Sequence, residues 1–236
     1  MEREKNFNRL EQEKSAITIS DLIDPERQLP KKYQALITEQ KKYGGNYLTS
    51  HSKIWDDWVY EIPPGTKTEQ AVAFLKQHIS GDVLIDLGAG QHDAMKDLST
   101  KLEAKAYVGV DQYQSFKKPQ DLGETNISYE EKDINNTHLI KVESDMLKFV
   151  GLTRDSSGSF VLNGIDQYVI KSNDYNLALV NEIVRATHSG GIIFGVNSED
   201  IQHHLAEIAA QKDSVLEKPN LDFSYFPPHS FIFIKK

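Results

Sequence analysis

The stretch Val83-Leu84-Ile85-Asp86-Leu87-Gly88-Ala89-Gly90 constrains the fold more than any other part of the chain. Aliphatic residues, two of them β-branched, run into an acid and then into two glycines one residue apart. A helical pattern follows from about Gln91 to Lys105. This order predicts a buried strand entering a tight glycine turn at a helix N-terminus. Such a turn is how an α/β sheet holds a nucleoside-bearing ligand.

The pattern alternates on both sides of that turn. Ala71, Val72, Phe74, Leu75 and Ile79 recur at helical spacing and predict a helix over Glu69–Ser80, capped by Thr68. Strands are expected at about 82–87, Ala106–Asp111, Leu139–Glu143, Ser159–Ile165 and Ile192–Val196. Helices at about 92–103, 145–150, 174–188 and 201–210 separate or follow them, with Gly190-Gly191 stopping the longest. Residues 112–137 read as polar and irregular. Two final strands, at about 214–218 and 230–235, have no helix between them and read as an antiparallel hairpin. The expected fold is therefore α/β: a seven-stranded, mainly parallel, doubly wound sheet with an antiparallel C-terminal hairpin. Pro63-Pro64-Gly65 punctuates the chain. It divides a mostly helical N-terminal appendage at 1–66 from the sheet domain at 67–236.

Composition bounds the function. The chain has 236 residues, 39% of them hydrophobic and 26% charged, enough for one domain with an appendage and a real core. No apolar run approaches the roughly 20 residues a membrane helix needs. The first residues, MEREKNFNRLEQEK, are charged and carry no apolar stretch, so no secretory signal is expected. There are no cysteines, which excludes disulfides, thiolate zinc sites and cysteine nucleophiles. A cytoplasmic location is expected. The formal charge is −8, and the lysine pairs at 31–32, 41–42 and 117–118 are short and separated. Both argue against a nucleic-acid partner, although a weak RNA contact near Lys31–Lys42 stays open.

The order of acids and glycines carries a resemblance. Asp86-Leu-Gly88-Ala-Gly90 is followed by Asp111 at the end of the next strand and by Asp145-Met146 after the third. Gly190-Gly191 precedes the fifth strand, and a hairpin closes the chain. Over roughly residues 68–236 this order resembles the class I S-adenosylmethionine-dependent methyltransferases, with their Rossmann-like fold. The resemblance implies S-adenosylmethionine as cofactor, bound by Asp86, Gly88, Gly90, Asp111, Gln112, Asp145, Met146 and Asn163. The chemistry agrees. Glycines let the backbone approach a ligand closely. Asp111 can accept from two vicinal ribose hydroxyls. An acid beside the turn favours a cationic sulfonium and ammonium, where a pyrophosphate would be repelled. Asp145 can accept from an adenine amino group while also capping a helix, and Met146 can add its backbone N–H and an apolar wall.

Two departures matter. The family often has a third glycine where this chain has His92, a residue open to a cofactor-carboxylate contact or to a plain wall role. Enzymes that methylate base amino groups often carry Pro-Pro-Tyr after the fourth strand. Here the segment is Asn163-Gly164-Ile165-Asp166, which argues against DNA adenine or cytosine methylation. Asp166 and Tyr168 come just beyond Asn163 in the sequence and could face the substrate. Methyl transfer is an in-line displacement that positioning and desolvation can accelerate. A general base is needed only if the acceptor must lose a proton. No catalytic residue is therefore identified, and Asp166 and His229 are the candidates. The histidines lack metal-ligand spacing: His203 and His204 are adjacent, and His51, His138 and His188 have no partner at ligand spacing.

The appendage is expected to choose the substrate. Tyr43 and Tyr47 flank Gly44-Gly45 and are candidates for a mobile lid contact. Trp55 and Trp58 either line an acceptor pocket or pack the appendage on the sheet. The leading expectation is a methyltransferase acting on a small molecule, or less readily on a protein. The alternative is a non-catalytic cofactor-binding or protein-interaction module on the same fold. A nicotinamide-dependent oxidoreductase is a weaker third, because its Gly-x-Gly-x-x-Gly pattern meets Asp93 at the last position. A homodimer is left open.

Overall fold

In a computed structural model of the chain, the described residues are 17–43, 54–55, 58, 65–90, 96–112, 116–134, 137–165 and 169–236. Strand β1 (Val83–Leu87) is buried along its whole length. A strand covered on both faces needs apolar residues on both, and its aliphatic run supplies them everywhere but at Asp86. On one side β1 pairs in parallel with β2 (Ala106–Asp111), which is followed outward by β5 (Thr137–Glu143). On the other it pairs in parallel with β6 (Ser159–Asn163), followed by β7 (Ile192–Val196). Strand β9 (Ser230–Lys235) runs antiparallel to β7 and to the short edge strand β8 (Leu216–Glu217). The closing hairpin thus inserts one antiparallel strand, as the missing helix between the last two strands predicts.

The seven-strand expectation needs correction. Among the described residues the sheet has nine strands, because 112–137 adds β3 (Gln120–Asp121) and β4 (Ser128–Ile134). The order is β3-β4-β5-β2-β1-β6-β7-β9-β8. Strand β4 reads Ser-Tyr-Glu-Glu-Lys-Asp-Ile and has no apolar alternation to announce it. It forms because all seven residues pair antiparallel with β5. A charged strand near the sheet edge also discourages pairing with other chains.

The helices whose bounds are described are α1 (Ile19–Leu22), α2 (Lys31–Tyr43), α3 (Lys67–Ile79), α4 (Lys96–Lys101), α5 (Met146–Leu152), α6 (Asn173–Ala186) and α7 (Glu199–Ala209). Helix α3 starts earlier than expected, with Thr66 at the N-cap position and Thr68 inside the first turn. Helix α6 is capped by the Ser172 hydroxyl, which accepts from the Tyr175 amide. It ends at Thr187, ahead of the expected glycine stop. There the Thr187 hydroxyl bonds the Ile183 carbonyl and its backbone bridges to Gly158. Gly190, at φ +84°, instead turns the chain into β7.

Side chains of β1 alternate between two cores. Val83, Ile85 and Leu87 face α5, α6 and α7, while Leu84 faces α3, α4 and Trp55. Residues 17–43 belong to the first of these cores through Ile19, Leu22, Ile23, Tyr33 and Ile37. Backbone bonds Asp24 N to Leu152 O (2.9 Å) and Arg154 N to Leu22 O (2.8 Å) hold the segment there. The Tyr33 hydroxyl donates to Glu182 at 3.0 Å. Burial and that carboxylate push the Tyr33 hydroxyl up to about 12. No described helix is long and apolar enough to cross a membrane.

Candidate functional site

The connections change direction at β1, which sends the chain to β2 on one side while β6 returns on the other. In an open α/β sheet a crevice forms outside the carboxyl ends of the strands at such a switch point. Gly88 and Gly90 follow β1 with φ of +76° and +69°, a region that side-chain-bearing residues rarely occupy. The Gly88 and Ala89 amides donate to the Val110 carbonyl at 2.9 and 3.1 Å, folding the turn toward β2. A Cβ on Gly88 would touch Ile165 Cδ1 at 3.4 Å and Met146 Sδ at 3.8 Å. The turn after β1, the loop after β6 and the start of α5 therefore converge on one spot.

Asp111 lies half-buried at the end of β2, and its Oδ2 accepts the Gly90 amide at 3.0 Å. Gln112 follows it, also half-buried. The Asp111 carbonyl accepts from Ser144 at 3.0 Å, which ties the turn to the residue before Asp145.

Asp86 sits deeper than the turn. It has no exposed surface, and its Oδ2 accepts from the Tyr107 hydroxyl at 2.8 Å. Tyr107 reaches it across Gly109, the residue opposite Asp86 in the ladder. A Cβ there would lie 3.3 Å from the Tyr107 ring. The sequence reading of Ala106–Asp111 as a strand ending on an acid assigns Tyr107 no role. The available signal is a strand tyrosine two residues before a glycine, next to a strand that carries an acid.

Asp145 is the N-cap of α5. Its Oδ1 accepts from the Lys148 amide at 3.0 Å and from the Tyr175 hydroxyl at 2.9 Å. Oδ2 accepts no hydrogen bond among the described residues. Desolvation in this pocket raises the Asp145 carboxyl above its usual range, and the Lys148 amide, the Tyr175 hydroxyl, the charge of Lys41 and the Leu147 amide oppose that shift. Met146 is half-buried beside it.

Asn163 ends β6. Its Oδ1 accepts from Trp55 Nε1 at 2.9 Å within the core. Trp55 is fully buried and meets Phe194 and Trp58 edge-on at 5.0 and 5.4 Å. Trp58 stacks on Phe226 and donates to the Tyr225 carbonyl. Both tryptophans thus pack against the sheet domain, and Trp55 also holds a candidate site residue. The Ile165 amide donates to Ser198 Oγ at 3.0 Å, fixing the loop beyond Asn163.

Of the remaining candidates, His229 is exposed at φ +60°. The pairing of Ser230 with Val196 places it at the crevice end of the sheet. Tyr43 is the last residue of α2. Tyr47, His92, Asp166 and Tyr168 lie outside the described residues. No group of three or more metal-ligating side chains occurs among the described residues. An open cleft of about 510 Å³ lies at the opposite, amino end of the strands, lined by Gln77, His78, Asp82, Ser156 and His188 among others. It contains a hydrogen bond between His188 Nε2 and Asp82 Oδ2 at 2.6 Å, and none of the candidate residues above.

Comparison with solved structures gives the following likenesses. A provisional methyltransferase from Streptococcus mutans, in complex with S-adenosylhomocysteine, is 14% identical with a TM-score of 0.43, over 74% of this chain and 100% of its own. An rRNA methylase from Streptococcus thermophilus is 13% identical with a TM-score of 0.43, over 74% and 99%. A provisional RNA methyltransferase from Pyrococcus horikoshii is 11% identical with a TM-score of 0.38, over 88% and 98%. TM-scores below 0.5 at these identities carry no functional inference. No protein-family model matches the chain, and no curated protein matches it.

Proposed function

We propose that this chain is an S-adenosylmethionine-dependent methyltransferase whose cofactor lies in the crevice at the carboxyl ends of β2, β1 and β6. One observation carries the reading. Two positive-φ glycines follow β1, the second hydrogen-bonded to the acid ending β2, and at the head of the next helix stands an aspartate whose Oδ2 accepts no hydrogen bond among the described residues. These residues fit the group. Asp111 receives the ribose hydroxyls while Oδ2 keeps the glycine turn closed. Asp145 Oδ2 receives the adenine amino group, and Met146 and Ile165 wall the base. Gln112 extends the polar edge beyond Asp111. The buried Asp86, held by Tyr107, lends its charge from beneath the turn to a cationic ligand.

S-adenosylmethionine supplies an electrophilic methyl group on a sulfonium. The protein's task is then to align an acceptor with it and exclude water. Asn163 and the covering Trp55 stand on the acceptor side of β6. We assign residues 1–66 to a lid over that side, with Tyr43 and Tyr47 as its contacts, and the sheet domain to 67–236. The acceptor is a small molecule. Should it have to lose a proton, His229 at the crevice end of the sheet and Asp166 are the candidates to take it.

Thermal shift and calorimetry with S-adenosylmethionine, S-adenosylhomocysteine and NAD test the cofactor. The two sulfur ligands should stabilise the protein, by about 2.7 kcal/mol at a hundredfold excess over Kd, and NAD should not. Asp111→Ala should weaken both sulfur ligands about tenfold or more, the value of a charged hydrogen bond. Unchanged affinity in that variant rejects the ribose role.

A further inference from the structure

Tyr175 is fully buried on α6, and its hydroxyl bridges two groups at the head of α5. It accepts from the Leu147 amide at 3.1 Å and lies 2.9 Å from Asp145 Oδ1. An amide N–H can only donate, so one lone pair of the hydroxyl is committed to Leu147. The hydroxyl proton is then directed at Asp145. Oδ1 also receives the Lys148 amide, so it has two donors and no room for a proton of its own. Only Oδ2 can be protonated. That oxygen belongs to a carboxyl about 8% exposed and accepts no hydrogen bond among the described residues. The next residue, Met146, lies alongside Gly88 in the crevice.

We infer that Tyr175 is a positioning residue for the base of the cofactor. Its hydroxyl keeps the Asp145 carboxyl ionised and acceptor-only, the form that matches a purine 6-amino group and rejects a 6-oxo group. This rests on the adenosyl reading of the crevice. A protonated Oδ2 would be a donor facing the amino donor, and would accept the 6-oxo analogue instead. Burial opposes the ionised form. The Lys148 amide on α5 itself, Tyr175 from α6, the charge of Lys41 on α2 and the Leu147 amide favour it. The Lys148 ammonium, on α5, is electrostatically coupled to the same carboxylate. Removing the Tyr175 hydroxyl deletes one of the favouring groups, so the carboxyl should hold its proton to a higher pH.

The test uses wild-type protein, Tyr175→Phe and Asp145→Asn. Carboxyl-carbon NMR on ligand-free protein reads the Asp145 titration. Its midpoint should lie higher in Tyr175→Phe than in wild type. Calorimetry with S-adenosylhomocysteine and S-inosylhomocysteine reads the base. Wild type should prefer the adenosyl ligand by at least about tenfold at neutral pH, the effect of one mismatched hydrogen bond. In Tyr175→Phe the ratio should fall at a higher pH than in wild type. In Asp145→Asn, which keeps an oxygen for Tyr175 and Lys148 but presents an amide donor, it should be low at every pH. An unmoved midpoint in Tyr175→Phe would overturn the role of Tyr175. Should that variant fail to fold, an Asp145→Asn protein that keeps the wild-type ratio would overturn it equally, because Tyr175 acts only through that carboxylate. Wild-type protein that binds neither ligand would overturn the adenosyl reading itself.

Discussion

Tyr107→Phe removes one oxygen atom from the core and nothing else. That oxygen donates at 2.8 Å to Asp86, which has no exposed surface, and Tyr107 itself is about 1% exposed. Water cannot take the place of the lost donor without opening the layer formed by α3, α4 and Trp55 on that face. A hydrogen bond to a charged group is worth about 1.5–3 kcal/mol. For a chain of this size each kcal/mol moves Tm by about 2–4 °C, so Tm should fall by about 3–12 °C. Urea unfolding followed by far-UV circular dichroism should show a lower midpoint with an unchanged slope. A double-mutant cycle with Asp86→Leu, which has the shape of aspartate without its charge, isolates the pair and should return a coupling of about 1 kcal/mol or more. Gly109→Ala attacks the same bond from outside, because the added methyl would press on the ring at 3.3 Å. The reasoning fails if Tyr107→Phe lowers Tm by less than about 1 °C, or if the two substitutions add to within about 0.3 kcal/mol.

Gly88→Ala should leave a folded protein and weaken S-adenosylhomocysteine binding about tenfold or more. The φ of +76° costs an alanine about 1–2 kcal/mol, and its methyl group would touch Ile165; calorimetry giving a wild-type Kd would exclude the crevice assignment of the turn. Trp55→Phe withdraws a donor from the buried Asn163 oxygen and should lower unfolding stability by about 1–3 kcal/mol. A change below about 0.5 kcal/mol would mean that this bond does not hold the appendage. The Tyr33 hydroxyl is raised from 10.0 to about 12 in the folded protein. Its stabilising contribution is complete below the ordinary tyrosine range and is lost as pH rises through about 12. Tyr33→Phe should therefore flatten the decline in urea midpoint between about pH 10 and 12 relative to wild type. Parallel curves would show that the Tyr33–Glu182 contact is not formed in solution.

Much of the site is legible in one dimension because its parts stand at strand ends. A strand end is announced by a change from aliphatic to polar residues, so Asp86, Asp111 and Asn163 can be placed without coordinates. The cap role of Asp145 is a local property and was expected from the sequence. Its bond to Tyr175 is not, because those residues are 30 apart and meet only when α6 packs on α5. Strand β4 is invisible for a related reason. Its seven residues acquire their pairing from β5 rather than from any apolar period of their own.

The sequence alone determined the central parallel strands with their helices, the antiparallel closing hairpin and the acid-glycine turn, since these follow from local hydrophobic period and backbone freedom, but not β3 and β4. Tertiary structure decided which atoms each polar group addresses. It brought Tyr107 over Gly109 onto Asp86, Trp55 onto Asn163, and Tyr175 onto one oxygen of Asp145 and not the other. A buried polar atom must find a partner, and only packing brings into reach partners from distant parts of the chain.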